Sequence, residues 1–232
     1  MTTSPLLSAR DVSVSYGQLQ AVRNVTADFA EGGMTGIFGH NGSGKSSFLK
    51  SLIGTGGRIS GSVDFAGEAI LPGKTHENVL RGIAIVPQSR NVFPSLTVRE
   101  CLDTAALRGG AGGIDAVHEL LPILAERAHQ RAGSMSGGEQ QLLAVGMALI
   151  TQPKAILLDE PTAGLSPVAA EKVLTTLVEI NRRFGTTVLL VEQNVMIALA
   201  IVQRAIVFRS GSIVYDAPAE DLRAKDDIWS VF

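Results

Sequence analysis

The sequence predicts an α/β protein built on a parallel sheet, and three observations carry that prediction. Short, nearly continuous apolar runs at 34–38, 82–86, 155–158 and 187–191 have the length of strands buried on both faces. Helical periodicity over 137–151 and 167–184 separates the later runs, as parallel strands joined by crossovers require. Residues 7–15 and 24–29 instead alternate with period two, the pattern of antiparallel strands with one wet face.

Taken in order, the two alternating segments lead into the run at 34–38, a glycine-rich loop and a helix. Segments 61–65 and 67–71 read as a hairpin broken at Ala66-Gly67, and 82–86 as a buried strand stopped by Pro87. Between Leu96 and Ala132 the spacing turns helical over 97–107 and 114–127, with the flexible run Gly109-Gly110-Ala111-Gly112-Gly113 between them. This stretch predicts a small helical insert, within a helical subdomain at about 96–150 of a single domain covering 1–232. The core resumes at the helix 137–151, and 204–216 predicts a closing hairpin that turns at Ser210-Gly211.

The 232 residues are 45% hydrophobic and 18% charged, a globular composition with mass for a sizeable core. The net charge of −2 supplies no overall field for nucleic acid or an anionic membrane, and no nucleic-acid partner is expected. The single cysteine, Cys101, excludes an internal disulfide and reads as a small half-buried apolar residue. Residues Met1 to Ser4 are short and polar, unlike a signal peptide, and no apolar run reaches the ~18 residues of a membrane span. The expectation is a soluble chain whose membrane role, if it has one, runs through a partner.

The run Gly39-His40-Asn41-Gly42-Ser43-Gly44-Lys45-Ser46-Ser47 follows the strand at 34–38 and fits G-x-x-x-x-G-K-[ST] in its required strand-to-helix setting. Glycines allow a backbone that points successive N–H groups into one concavity. Lys45 supplies a charge for the β- and γ-phosphates and Ser46 a hydroxyl for Mg²⁺. The loop predicts binding of a nucleoside triphosphate.

Two further segments narrow the class. The strand 155–158 ends in Asp159-Glu160, where α/β sheets open onto their ligand crevice. Asp159 is placed to hold Mg²⁺ and Glu160 to polarise an attacking water as general base. In Met135-Ser136-Gly137-Gly138-Glu139-Gln140-Gln141, Ser136 and Glu139 make a capping box. That leaves Gly137 and Gly138 unexplained, since each costs roughly 1 kcal/mol in a helix relative to alanine. N–H groups exposed to a phosphate would account for them.

With the two preceding motifs, this segment resembles the LSGGQ signature of the ATP-binding cassette (ABC) family, over essentially the whole chain. The resemblance implies a phosphate-loop NTPase core with an antiparallel β subdomain and a small helical insert, binding ATP and Mg²⁺. It also implies head-to-tail pairing of two cassettes, with Ser136, Gly137, Gly138 and Glu139 serving ATP held on the partner's loop. Tyr16 is similar to the aromatic that stacks on adenine, or else is a strand-edge tyrosine. Gln88 matches the glutamine that touches Mg²⁺ and water, and Ala163-Gly164-Leu165-Ser166 the loop between the carboxylates and the next helix.

Two positions depart from the family pattern. Gln193 stands where a histidine is usual, so it can donate a hydrogen bond to a γ-phosphate but cannot titrate there. Met147 stands where an arginine is usual. Together with Leu190-Val191-Glu192-Gln193-Asn194, the signature resembles the second ATPase subunit of importers for branched-chain amino acids, or for urea and other small polar solutes.

This resemblance implies as partners a second ATPase subunit, two permeases and an extracytoplasmic solute-binding protein. It also implies a peripheral position on the cytoplasmic face of the plasma membrane. Residues 91–99 would help form the groove for a permease, with Phe93 and Leu96 either lining it or packing inside the helical insert. A soluble cassette ATPase of DNA repair or translation would need a long coiled coil or a second cassette. A regulatory module without turnover would lack Glu160.

Overall fold

The computed structural model describes residues 4–109 and 112–232. In chain order its first half contains β1 (Leu7–Tyr16), β2 (Leu19–Phe29), β3 (Met34–Phe38) and α1 (Lys45–Ser51), then β4 (Arg58–Phe65) and β5 (Glu68–Ala69). Next come α2 (Thr75–Val79), β6 (Ile83–Val86) and the helices α3 (Val98–Gly109), α4 (Gly112–Leu120) and α5 (Pro122–Glu126). The second half adds α6 (Gly137–Ile150), β7 (Ala155–Asp159), α7 (Pro167–Phe184), β8 (Thr187–Val191) and α8 (Val195–Leu199). It closes with β9 (Arg204–Arg209), β10 (Ser212–Pro218) and α9 (Ala219–Arg223).

Among the described residues the strands form two sheets. One is antiparallel, in the order β2-β1-β4-β5. The other runs β10-β9-β3-β8-β7-β6, parallel from β9 to β6 with β10 antiparallel at its edge. Alternate residues of the parallel strands feed two cores, which is why those strands are apolar throughout. Ile37, Leu157, Leu189 and Phe208 face the antiparallel sheet and α1, packing with Val14, Phe29 and Phe48. Phe38, Leu158, Leu190 and Val207 face the other way, onto the helices. That second core takes in Leu102, Val117, Leu121, Leu143 and Val173, so the helical insert shares the main core.

Three sequence expectations change. β2 starts at Leu19 rather than 24, because a bulge with Asn24 at φ 45° shifts the register and hides the alternation. The helix expected over 114–127 is two helices. Pro122 has no N–H to donate and disfavours helical geometry at Leu121, whose φ and ψ are −128° and 69°. The glycine run expected to separate the insert helices is largely helical at its ends, α3 reaching Gly109 and α4 starting at Gly112. Its middle, Gly110 and Ala111, lies outside the described residues, as do Met1 to Thr3 of the polar start. Among the described residues no helix is long and apolar enough to cross a membrane.

Candidate nucleotide site

Register assembles the site. Ile37 and Asp159 both pair with Val191, and Val86 pairs with Leu158, so β3, β8, β7 and β6 end level with one another. The residues that follow each strand therefore meet along one edge: the 39–47 loop, Glu192 and Gln193, Glu160, and Gln88. This is the crevice outside the carboxyl ends of a parallel sheet, where such folds bind ligands.

The loop is locked by close approaches that exclude side chains. Gly39 has φ 142°, and a methyl group there would lie 2.3 Å from the Phe208 carbonyl oxygen. Gly44, at φ 105°, would put one 2.3 Å from the Ala21 oxygen. Within this frame the Lys45 ammonium donates to the Gly39 and His40 carbonyls at 2.7 and 3.0 Å, leaving one of its three N–H groups for a ligand. Burial lowers its pKa, opposed by the fields of Glu160, Asp159 and Glu192. No side chain caps α1, and the Ser43 hydroxyl is buried without a partner. Asn41 to Ser47 border a cleft of about 290 Å³ together with Tyr16, Leu19, Ala21 and Glu160. Tyr16, at the end of β1 and 43% exposed, thus offers its ring beside the loop.

Asp159 and Glu160 are both buried. The Ser46 hydroxyl donates to Asp159 Oδ1 at 2.6 Å, and Lys50 lies 3.7 Å from the other oxygen. Glu160 has a positive φ of 51°, held by its N–H to the Val191 carbonyl at 2.9 Å. Its Oε2 accepts from Gln88 Nε2 at 2.7 Å and from Gln193 Nε2 at 2.6 Å. A carboxylate only accepts, so both glutamines must turn their nitrogens toward it. Glu160 also borders a broader cleft of about 760 Å³, lined by Gln88, Gln193, Ala163, Gly164, Leu165 and α7. The general-base candidate therefore stands between two openings, fixed by two amides.

Ser136 and Glu139 form the expected capping box, with Ser136 N–H donating to Glu139 at 2.9 Å. The adjoining glycines have a packing reason that the sequence did not reveal. A methyl group at Gly138 would lie 2.8 Å from Ala169 Cβ on α7, and one at Gly137 3.3 Å from Leu165. Among the described residues none of 136–139 borders the cleft of the 39–47 loop.

A lysine-bearing loop that shares its cleft with a braced carboxylate defines a nucleoside-triphosphate hydrolase of the phosphate-loop class. The profile described as ABC transporter matches residues 22–163, and the chain belongs to that family. It is 42% identical to the high-affinity branched-chain amino acid transport ATP-binding protein BraG of Pseudomonas aeruginosa, over 90% of this chain and 91% of BraG. A probable branched-chain amino acid transport ATP-binding protein, LivF of Archaeoglobus fulgidus, is 37% identical over 94% of each chain. The solved cassette MJ0796, a dimer in a post-hydrolysis state bound to ADP and Pi, superposes with a TM-score of 0.77 and 25% identity, covering 92% of this chain and 98% of that one.

Sequence reasoning missed Glu192. It is 2% exposed and follows four buried apolar residues of β8, so an acid ending an apolar strand beside Gln193 was the available signal. It also missed the packing of Trp229 and Phe232 at the end of the chain. The Phe232 ring lies 6.3 Å from that of His40, and this contact has no short-range pattern.

Proposed function

We propose that this chain binds and hydrolyses ATP to drive an ABC importer for branched-chain amino acids or a related small polar solute. The observation that carries the chemistry is Glu160, braced by Gln88 and Gln193 at the mouth of the Lys45 loop. The solute class rests on the likeness to BraG and LivF.

In this reading Tyr16 stacks on adenine while the loop from Gly39 to Ser47 cradles the phosphates, with Lys45 on the β- and γ-groups. Ser46, Asp159 and the amide oxygen of Gln88 would hold Mg²⁺. This donor set suits a hard cation, and its first two members already touch at 2.6 Å. Bound there, the ion would offset phosphate charge. Glu160 takes a proton from the attacking water, and Gln193 reaches both Glu160 and the γ-phosphate. Ser136 and Gly138 complete the site of a second cassette, and the signature turn of that cassette completes this one.

An apolar groove between the main core and the helical insert would receive a permease at the cytoplasmic face of the membrane. Val79, Pro87, Asn91, Ala105 and Met147 line it. Met147, in place of the usual arginine, adds to its apolar lining. Beside it Phe93 is exposed, whereas Leu96 packs against the core. The second ATPase and an external solute-binding protein complete the assembly.

The test is ATP hydrolysis by the assembled importer. Glu160→Gln is expected to bind ATP normally and turn over ~10²-fold or more slowly, as loss of a general base would. Equal turnover would remove Glu160 from that role. Failure of ATP hydrolysis to respond to permease and loaded binding protein would remove the transport assignment.

A further inference from the structure

We infer that Glu192 is a positioning residue for hydrolysis, holding Glu160 and Gln193 in working geometry through hydrogen bonds to the backbone. The proposal rests on the reading of Glu160 as general base. β8 is apolar through Val188, Leu189, Leu190 and Val191, and the chain then buries a carboxyl group at 2% exposure. Burying an acid is costly unless its oxygens are satisfied. Here each oxygen accepts a backbone N–H. Oε1 takes that of Thr162 at 2.9 Å, and Oε2 that of Gln193 at 3.2 Å.

These two amides belong to the segments that carry the chemistry. Thr162 lies two residues beyond Glu160, in a tight turn closed by Ala163 N–H to the Glu160 carbonyl at 3.2 Å and Leu165 N–H to that of Thr162 at 3.1 Å. Glu160 sits in the left-handed region at φ 51°, a conformation that needs its surroundings to hold it. The second amide belongs to Gln193, whose side chain donates to Glu160 Oε2. Glu192 is itself anchored to the phosphate-loop strand by its N–H to the Ile37 carbonyl at 3.2 Å. The buried carboxyl group thus ties two segments together, the turn after β7 through Thr162 and the end of β8 through Gln193, while the backbone of the same residue joins them to β3. Glu192 borders the same cleft as Glu160 and Gln193, but both its oxygens are taken by backbone N–H groups, so it acts on the water through that pair.

Displacing a catalytic group by about 1 Å costs on the order of 10²-fold in rate. A glutamine at 192 keeps the shape and one acceptor oxygen but presents NH₂ to the second amide. We therefore expect Glu192→Gln, measured in the assembled importer with MgATP, to lower kcat roughly tenfold, and Glu192→Ala roughly 10²-fold. KM and ATP affinity should stay within about twofold of wild type. On a Glu160→Gln background, Glu192→Gln should add little, because both act on one step.

A thermal midpoint near wild type for Glu192→Gln separates this role from a folding role. Wild-type kcat in Glu192→Gln and Glu192→Ala would overturn the proposal. So would a rise in KM at constant kcat, or a full additive loss on the Glu160→Gln background. Failure of the underlying reading is visible separately, as wild-type turnover in Glu160→Gln alone.

Discussion

At the scale of single residues the site gathers buried acids whose oxygens are taken by protein donors. Asp159, Glu160 and Glu192 crowd three carboxyl groups around Lys45, and each is steadied by a hydroxyl, amide or backbone N–H. Glu192 shows the cost most directly. Burial raises its pKa above the ordinary glutamate value, only partly offset by the Thr162 and Gln193 hydrogen bonds. With the folded pKa raised, the native state keeps a proton that the unfolded chain has lost, so stability falls as pH climbs through that window. Thermal unfolding followed between about pH 5 and pH 8 should show wild type losing stability faster than Glu192→Gln, which has no such proton. Parallel curves would mean that the carboxyl group titrates as an exposed one does.

At the scale of elements, Gly138 shows how a motif with a functional reading also answers to packing. α6 begins where its first turn meets Ala169 on α7, with room for hydrogen but not for a methyl group. Gly138→Ala should force the two helices apart and cost about 1–3 kcal/mol, the usual range for overpacking. Ala169→Gly in the same protein should recover much of that loss in chemical denaturation. If the second change restores nothing, the close approach is not what the glycine provides. ATP hydrolysis by the stability-restored double variant then reports what Gly138 does besides packing. The α4–α5 break has the same local logic, since Pro122 ends a helix whose apolar spacing ran on through it.

At the scale of the whole molecule, the 39–47 loop and the 136–139 turn do not border one cleft among the described residues. Pairing of two cassettes would bring them together. Isolated chain in dilute solution should therefore hydrolyse ATP poorly, with specific activity rising with protein concentration or on adding the second ATPase and permeases. Glu160→Gln with MgATP should shift sedimentation toward a dimer, because binding proceeds while turnover does not. Full activity in monomer, unchanged on dilution, would exclude a shared site.

Local chemistry was enough to read the strand, loop and helix around 39–47, the acids that end β7, the capping box and the buried strands. Each depends on neighbours a few residues apart: glycines that permit a backbone path, a strand that ends in acids, a serine three residues before a glutamate. The resemblance then pointed to Tyr16, Gln88 and Gln193. What only the folded chain decided is who touches whom across the sheet. Gln88, Glu160, Glu192 and Gln193 meet because parallel register sets four strand ends level, and residues 72 positions apart, Gln88 and Glu160, come to share a hydrogen bond. The glycine at 138 likewise has its reason on another helix, and His40 its aromatic neighbour near the end of the chain. Sequence spacing encodes backbone conformation and periodicity, which are local, whereas register and close approach are set by the packing of the whole core.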